Sequence, residues 1–296
     1  MYPVLFATRW FNVYSYGLLL AIGYTVATLW IVREAVKNGL PGEAVFDMLL
    51  MQLVVGVLGA RLLYVSEYGI GTGPGAGFFA FERGGLTFYG AVISSFAFDI
   101  LYLKWRRLPF WRVMDAVGFG LPLGIAIARL GCFLNGCCYG IETDQTWGFI
   151  FLRAGYTAVH PTQLYESIAC MALFLIVQRY RRVRQAYGEI ILLALGGYGA
   201  LRFVIEFWRG DNPVFAFGFT LSQVIGALVA LVCWAGVQSL RERKELLILP
   251  SSAPVTVKPA PEPTAGEHAA KAPPEPAAVA TPPEATPDPE KPDTHG

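Results

Sequence analysis

Residues 189–208 read EIILLALGGYGALRFVIEFW, and this stretch decides the class of protein. A helix of about 20 mostly apolar residues crosses a hydrocarbon core about 30 Å thick. Two charged residues, Arg202 and Glu206, nevertheless lie in its second half. They are four residues apart, so a helix places both on one face. The stretch therefore predicts a membrane-spanning helix that carries an ion pair or part of a functional site.

Six other apolar segments have the same character, so the chain is predicted to be an all-α, polytopic membrane protein. Its composition agrees, because 54% of the residues are hydrophobic and only 15% are charged, whereas soluble domains are about 25% charged. No basic run is interleaved with aromatic residues, so nucleic-acid binding is not expected.

We count seven spans, with six or eight as alternatives, and the first is interpreted as retained rather than as a signal peptide. The predicted spans are 16–36, 46–65, 86–104, 113–131, 164–180, 189–208 and 219–240.

The basic residues of the loops predict the orientation in the membrane. Cytoplasmic loops are enriched in Lys and Arg, and thirteen basic residues lie in one set of loops against four in the other. This bias places the N-terminus outside and the C-terminus in the cytoplasm. The thirteen are Arg33, Lys37, Lys104, Arg106, Arg107, Arg112, Arg179, Arg181, Arg182, Arg184, Arg241, Arg243 and Lys244, and the four are Arg9, Arg83, Arg153 and Arg209.

The C-terminal segment differs in composition from the rest of the chain. Residues 250–296 contain 13 of the 20 prolines and no aromatic residue. Such a segment cannot bury enough apolar surface to offset the entropy lost on ordering. We therefore predict a membrane domain over residues 1–249 and a disordered, Pro/Ala/Glu-rich cytoplasmic tail over residues 250–296.

Three arginines, Arg61, Arg129 and Arg202, fall inside predicted spans. An arginine at mid-span costs about 2.5–3.5 kcal/mol on insertion scales, so each needs a physical reason. Arg202 and Glu206 could neutralise each other as an i,i+4 pair. Alternatively, Glu206 could orient Arg202 in a cationic pocket facing the outer leaflet. Their spacing alone does not separate these two interpretations.

The densest cluster of polar and small residues is residues 129–140, RLGCFLNGCCYG, at the outer end of the fourth span. Residues 160–166, HPTQLYE, follow at the entry of the fifth span and contain the only histidine before the tail. Cys132, Cys137, Cys138 and His160 could be considered as zinc ligands. The C-x4-C-C spacing lacks the usual C-x2-4-C pair, so we expect no metal and interpret these thiols as small packing residues.

Taken in order along the chain, these motifs resemble the prolipoprotein diacylglyceryl transferases of bacteria. The resemblance covers about residues 10 to 240. Single motifs are weak evidence, whereas their order together with a seven-span, N-out topology is specific. The matching segments are YSYG at 14–17, GARLLY at 59–64, GLTFYG at 85–90, Asp115, the two clusters above, RFVIEF at 202–207 and Ser222-Gln223.

The resemblance implies a function that composition and spacing do not show. Such enzymes transfer the diacylglyceryl group of phosphatidylglycerol to the thiol of the lipobox cysteine of a preprolipoprotein, as the first step of lipoprotein maturation. A thioether forms and glycerol phosphate leaves. The resemblance implies no cofactor and a location in the bacterial inner membrane with the active site toward the outer face; we expect a monomer. The alternatives are an inactive lipid-binding paralogue on the same scaffold and, in third place, a carrier of anionic solutes.

The resemblance also implies roles for individual residues. Arg129 and Arg202 correspond to the essential arginines of the family, with Arg129 in the lipid-headgroup site, and guanidinium groups suit a departing phosphate ester because they bind it bidentately. The candidate catalytic residues are Arg129, Arg202, Glu206, Tyr89 and Tyr16, and the candidate substrate-binding residues are Arg129, Asn135, Gly140, His160 and Arg61.

Three positions depart from the common family pattern. Tyr89 stands where many members have His, Cys132 where Asn is common, and Cys137 where Glu is common. A tyrosine with an ordinary pKa of about 10 is a poor base at neutral pH. The acceptor of the thiol proton is therefore left open among Glu206, His160, water and the phosphate of the substrate.

Overall fold

A computed structural model of the chain describes residues 4–7, 12–68, 85, 87–155, 157–210, 212–216 and 218–243. The predicted tail lies outside these residues. The described part contains seven α-helices, and each coincides with one predicted span. They are α1 (Ser15–Lys37), α2 (Gly42–Tyr68), α3 (Phe88–Trp105), α4 (Phe110–Asn135), α5 (Thr162–Tyr180), α6 (Glu189–Ile205) and α7 (Leu221–Glu242).

Five of these helices, α1, α2, α4, α6 and α7, are long and apolar enough to cross a membrane. Helix α6 belongs to these five because a 3₁₀ turn continues it to Trp208, which makes 20 residues; α3 and α5, with 18 and 19 residues, are not among them. Large apolar side chains point outward on many of the helices, and Leu101, Ile168 and Val232 are 68%, 70% and 68% exposed. In water such surfaces would be unfavourable, whereas lipid tails solvate them. The fold is thus mostly helical and consistent with a polytopic membrane protein.

The description all-α needs one correction, because the described residues also form three two-stranded antiparallel hairpins. Short strands satisfy backbone N–H and C=O groups that a loop of this length would otherwise leave unpaired. All three lie at the same end of the helix bundle, where α1, α5 and α7 begin and α4 and α6 end; we call it the hairpin end. The paired strands are β1 (Val4–Ala7) with β2 (Asn12–Tyr14), β3 (Phe149–Ile150) with β4 (Ala158–Val159), and β5 (Val214–Ala216) with β6 (Phe219–Thr220).

At the opposite end of the bundle, charged side chains hold the helices together. Arg184 lies 3.4 Å from the Asp115 carboxylate and donates a hydrogen bond of 2.9 Å to Asn38 Oδ1. Arg181 forms an ion pair with the buried Glu34. These contacts join the end of α1, the start of α4 and the segment that follows α5. The residues predicted to be cytoplasmic therefore include several that have a structural role.

Asp115 also explains how α6 begins. Its carboxylate accepts hydrogen bonds from the backbone N–H groups of Gly188, Ile190 and Ile191 at 2.9, 3.0 and 3.2 Å. The first N–H groups of a helix have no partner within the helix, and a negative charge is stabilising there. A residue of α4 thus caps α6, which fixes the two helices relative to each other.

Helix α4 packs against α1, α5 and α6 and is central in the described bundle. Its glycines, which make the fourth span less hydrophobic, permit this packing. A Cβ placed at Gly120 would lie 2.9 Å from the carbonyl oxygen of Ala27 in α1. Small residues let membrane helices approach closely where lipid supplies no hydrophobic driving force between them. The result is that the C-terminal half of α4, with Arg129, lies between several helices.

Candidate functional site

Two buried carboxylates join two arginines of the hairpin end in a continuous chain of ion pairs. Arg129 of α4 lies 2.9 Å from Oε1 of Glu166 in α5. The other oxygen of Glu166 lies 3.4 Å from Arg202 of α6, and Arg202 also pairs with Glu206 at 3.0 Å. Tyr198 donates a hydrogen bond of 2.9 Å to Glu166 Oε1. The predicted i,i+4 pair is therefore present, and it is one half of a larger network.

Glu206 is held from the side of α7 as well. Its Oε1 accepts hydrogen bonds from Thr220 Oγ1, at 3.1 Å, and from the side-chain amide of Asn212. Its Oε2, which pairs with Arg202, also lies 3.9 Å from Arg209 Nε. Both carboxylate oxygens of Glu206 thus have partners, and two of these partners are arginines.

Burial differs between the acidic and the basic members of the network. The Glu166 and Glu206 side chains are 1% and 0% exposed, whereas those of Arg129 and Arg202 are 19% and 16% exposed. Each guanidinium carries five N–H donors, so donors remain for a ligand on the exposed side. The arrangement can therefore bind an anion such as a phosphate ester.

The cysteines of residues 129–140 come together because of the way in which α4 ends. Gly136 adopts the left-handed conformation (φ 69°), and its N–H donates to the Phe133 carbonyl. The N–H of Cys137 donates to the Cys132 carbonyl at 3.2 Å. These two bonds form a Schellman motif, which places the residue after the glycine over the last helical turn. Cys137 thus lies over Cys132 although five positions separate them.

Cys138 completes a cluster of three thiols. The Sγ atoms of Cys132, Cys137 and Cys138 all lie within 4.8 Å of one another. The C-x4-C-C spacing alone does not indicate this cluster, because the Schellman turn at Gly136 is what brings Cys137 back over Cys132. His160 does not belong to the cluster, so the four-residue set considered from the sequence is not the set that the structure brings together.

The loop that follows α4 is fixed by the first turn of α5. Thr162 Oγ1 donates to the Cys138 carbonyl at 2.9 Å, and Gln163 Nε2 donates to the Cys137 carbonyl at 2.7 Å. Cys138 has a φ of 63°, which is uncommon for a residue other than glycine. Such a conformation persists where the surroundings determine it, and here the two hydrogen bonds from α5 do so.

Tyr16 and Asn135 lie close to this loop. Tyr16, in the first turn of α1, is within electrostatic range of Arg129 and of the three thiols. A Cβ placed at Gly131 would lie 3.3 Å from the Tyr16 carbonyl oxygen, so the start of α1 packs on the last turns of α4. Asn135 is the last residue of α4 and is half-buried. The structure thus groups Tyr16 with Arg129 and places Asn135 at the point where the loop begins.

Gly140 and His160 connect the loop to the other hairpin-end segments. A Cβ placed at Gly140 would lie 2.2 Å from the Trp208 carbonyl oxygen, so only glycine fits. The Gly140 N–H donates to the His160 carbonyl at 2.8 Å. The Nδ1 atom of His160 lies 3.1 Å from the hydroxyl of Tyr165, which accepts a hydrogen bond from Trp147 at 3.0 Å. Gly140 therefore acts through close packing of the backbone.

Arg61 and Tyr89 belong to the pair formed by α2 and α3. Arg61 is 6% exposed, donates to the Gly85 carbonyl at 3.0 Å, and lies over the ring of Tyr64, 5.5 Å from its centroid. Tyr89, in the first turn of α3, is 52% exposed. Through Gly85, Arg61 contacts the segment that precedes α3.

Glu166 is the central residue of the network, although it was not among the candidate site residues predicted from the sequence. Arg129 has no acidic residue nearby in sequence, and its partner comes from the next helix. The available signal was a carboxylate in the first turn of a predicted span, where an ionisable residue needs a partner. Tyr198, which donates to Glu166, gave no comparable signal because tyrosine is common in membrane helices.

Comparison with known proteins identifies the family. Residues 3–238 match the family model described as prolipoprotein diacylglyceryl transferase. A Clostridium tetani (strain Massachusetts / E88) protein named phosphatidylglycerol–prolipoprotein diacylglyceryl transferase is 30% identical over 236 residues, 78% of this chain and 95% of that protein. The protein of the same name from Vibrio vulnificus (strain CMCP6) is 33% identical over 248 residues, 79% and 91% of the two chains. The resemblance noted in the sequence is thus confirmed, and the chain belongs to the prolipoprotein diacylglyceryl transferase family of membrane transferases.

Proposed function

We propose that this enzyme transfers the diacylglyceryl group of phosphatidylglycerol to the thiol of a lipobox cysteine in a preprolipoprotein. A C–S bond forms at the glycerol carbon that carries the phosphate ester, the C–O bond breaks, and glycerol phosphate leaves. The names of the relatives support both substrates. The catalytic domain is then residues 1–249, and the protein acts as a monomer.

The observation that carries the proposal is the position of two arginines on one buried carboxylate. Glu166 lies 2.9 Å from Arg129 and 3.4 Å from Arg202, so it holds both guanidiniums next to each other. A departing phosphate ester gains negative charge on its oxygens, and donors already in place stabilise that charge without reorganisation. We assign Arg129 and Arg202 to the phosphate, and Glu166 and Glu206 to positioning the two arginines.

The same proposal includes a setting in the membrane. All seven helices cross the bacterial inner membrane, with the N-terminus outside and the hairpin end toward the outer face. The support is the distribution of loop charges: the twelve of the thirteen basic residues that the structure describes fall at the end opposite Arg129 and Arg202. A site at the outer face is open both to lipid of the outer leaflet and to a preprolipoprotein that has crossed the membrane.

A reconstitution assay tests the function directly. The full chain, purified in detergent, is given phosphatidylglycerol and a synthetic peptide that contains a lipobox cysteine. We expect a diacylglyceryl thioether on the peptide, detected by mass spectrometry, and an equal amount of glycerol phosphate. A protein that binds the lipid without releasing glycerol phosphate would instead support the inactive paralogue. Transport of anions into vesicles without either product would support the carrier.

A further inference from the structure

The cluster of Cys132, Cys137 and Cys138 has the properties of a metal site with one open position. Zn²⁺ bound tetrahedrally by thiolates has Zn–S distances of about 2.3 Å, which places the sulfurs about 3.8 Å apart. The three Sγ atoms already lie within 4.8 Å of one another, so small side-chain rotations suffice. Three protein ligands and a vacant fourth position are typical of catalytic zinc sites, whereas structural sites have four protein ligands.

The surroundings of the cluster suit a thiolate-bound zinc ion. Three thiolates and one Zn²⁺ carry a net charge of −1, and Arg129 is close enough to the Cys132 thiol to interact with it electrostatically. Hydrogen bonds from Thr162 and Gln163 hold the backbone of Cys138 and Cys137 in place. Because such contacts orient metal ligands, they lower the cost of assembling the site.

We infer that Cys132, Cys137 and Cys138 bind a zinc ion that takes the lipobox thiol of the substrate as its fourth ligand. This inference rests on the proposed function, because the thiol to be alkylated is the one that the reaction consumes. Thiolates, not thiols, are the nucleophiles, and coordination to a metal deprotonates a thiol at neutral pH. Such coordination would supply the thiolate in a chain that has Tyr89 where many members of the family have His.

The step balances without any change in oxidation state. The lipobox thiol loses its proton to water as its sulfur binds Zn²⁺. An electron pair of that sulfur then attacks the glycerol carbon, and the C–O electron pair leaves with glycerol phosphate beside Arg129 and Arg202. The product is a thioether, which is neutral and a weaker ligand than a thiolate, so it dissociates and the fourth position opens again.

Metal binding can be tested without the transfer reaction. The full chain in detergent is stripped with a chelator and loaded with Zn²⁺ alone, and the bound metal is measured by mass spectrometry. We expect about one zinc per chain for the unchanged protein and for Cys233→Ser, a buried thiol of α7 outside the cluster. Cys132→Ser, Cys137→Ser and Cys138→Ser should each retain less than about one tenth of this amount after dialysis.

Loading with Co²⁺ alone counts the thiolate ligands in the unchanged protein, so the result does not depend on the folding of a variant. We expect tetrahedral cobalt absorption with thiolate charge-transfer bands, which grow when a lipobox peptide adds its thiol. A matching peptide with serine in place of the cysteine should leave the bands unchanged. Zinc loading should also protect the three cysteines of the cluster from alkylation by a maleimide.

The outcomes separate this inference from the proposed function. Failure of the unchanged chain to bind Zn²⁺, or retention of zinc by the three cluster variants, overturns the metal site whether or not transfer is detected. If the chain binds metal but its cobalt absorption does not respond to the lipobox peptide, the claim that the metal takes the substrate thiol as its fourth ligand is refuted. The proposed function is judged by thioether formation alone, so a working enzyme without metal refutes only the inference.

Discussion

Glu166 and Glu206 determine where the two arginines of the site can lie. Each carboxylate is almost fully buried, and each contacts Arg202. A buried charge without a partner would cost several kcal/mol, so the carboxylates and the arginines depend on each other for stability. The exposed remainder of each guanidinium is then presented in a fixed orientation. The contacts that stabilise the network therefore also orient the guanidinium groups that we assign to the phosphate.

Arg129→Lys is expected to reduce transfer nearly as strongly as Arg129→Ala. An ammonium group cannot reproduce the planar fork that contacts Glu166 on one side and the phosphate on the other. Loss of a transition-state contact worth about 3–4 kcal/mol slows turnover by roughly 10²–10³-fold. The rate of thioether formation is measured alongside the thermal unfolding midpoint. Arg33→Lys, at an exposed position near the other end of α1, is the matched control.

The substitution Arg202→Lys distinguishes the two interpretations of Arg202, namely contact with the phosphate and neutralisation of Glu206. If Arg202 contacts the phosphate, Arg202→Lys should lose activity to a similar extent, whereas a residue that only neutralises Glu206 would tolerate lysine. We expect the larger loss at Arg129. Near-normal turnover in a well-folded Arg129→Ala variant would refute its assignment to the phosphate.

Glu166→Gln tests whether one carboxylate orients both arginines. An amide offers one acceptor oxygen and one donor nitrogen, so one guanidinium keeps its partner and the other faces an N–H group. We expect transfer to fall by about 10–100-fold and the unfolding midpoint in detergent to decrease. Glu142→Gln changes an exposed acid of the α4–α5 loop and should have neither effect. Equal activities of the two variants would exclude a positioning role for Glu166.

At the scale of elements, the site depends on how closely the α4–α5 loop approaches the end of α6. A Cβ at Gly140 would lie 2.2 Å from the Trp208 carbonyl oxygen, 2.8 Å from Thr162 and 2.9 Å from His160. Backbone atoms cannot move away as readily as the end of a flexible side chain. Gly140 is thus where three segments of the hairpin end meet.

Gly140→Ala is therefore expected to destabilise the protein by about 1–3 kcal/mol. For a domain of this size, each kcal/mol lowers the unfolding midpoint by about 2–4 °C. Gly17→Ala is the control, because a Cβ at Gly17 would meet nothing within 4 Å, and alanine favours a helix over glycine. Thermal unfolding in detergent compares the two variants. A Gly140→Ala variant as stable as Gly17→Ala would show that the loop moves away at little cost.

The sequence predicted the positions of the helices better than the contacts between them. Lipid requires long apolar runs, so residues 189–208 could be recognised without knowledge of any partner. The partner of Arg129 could not be recognised, because Glu166 comes from another helix and only the packing of α4 on α5 brings it near. The thiol cluster lies between these two cases. A glycine such as Gly136 after an apolar run indicates a helix that ends in a left-handed cap, and such a cap predicts the contact between Cys132 and Cys137.

For the whole molecule, the orientation in the membrane can be tested with introduced cysteines. Asp144 lies in an exposed part of the α4–α5 loop, and Arg182 lies in the exposed turn after α5, at the opposite end. In intact spheroplasts, a maleimide that cannot cross the membrane should label Asp144→Cys above the background of the unchanged chain. Arg182→Cys should be labelled only after permeabilisation. The reverse pattern would invert the topology and place the arginine network at the cytoplasmic face.

The last prediction concerns the C-terminal segment, which lies outside the described residues. Removal of residues 250–296 should leave insertion, unfolding midpoint and transfer activity close to those of the full chain. These residues include 13 of the 20 prolines and no aromatic residue, so they offer little apolar surface to pack on the helices. The network at Arg129 and Arg202 draws its described contacts from residues 129–220. A truncated chain that inserts normally but transfers poorly would make the tail part of the enzyme's functional machinery, and one that fails to insert would make it part of the folded domain.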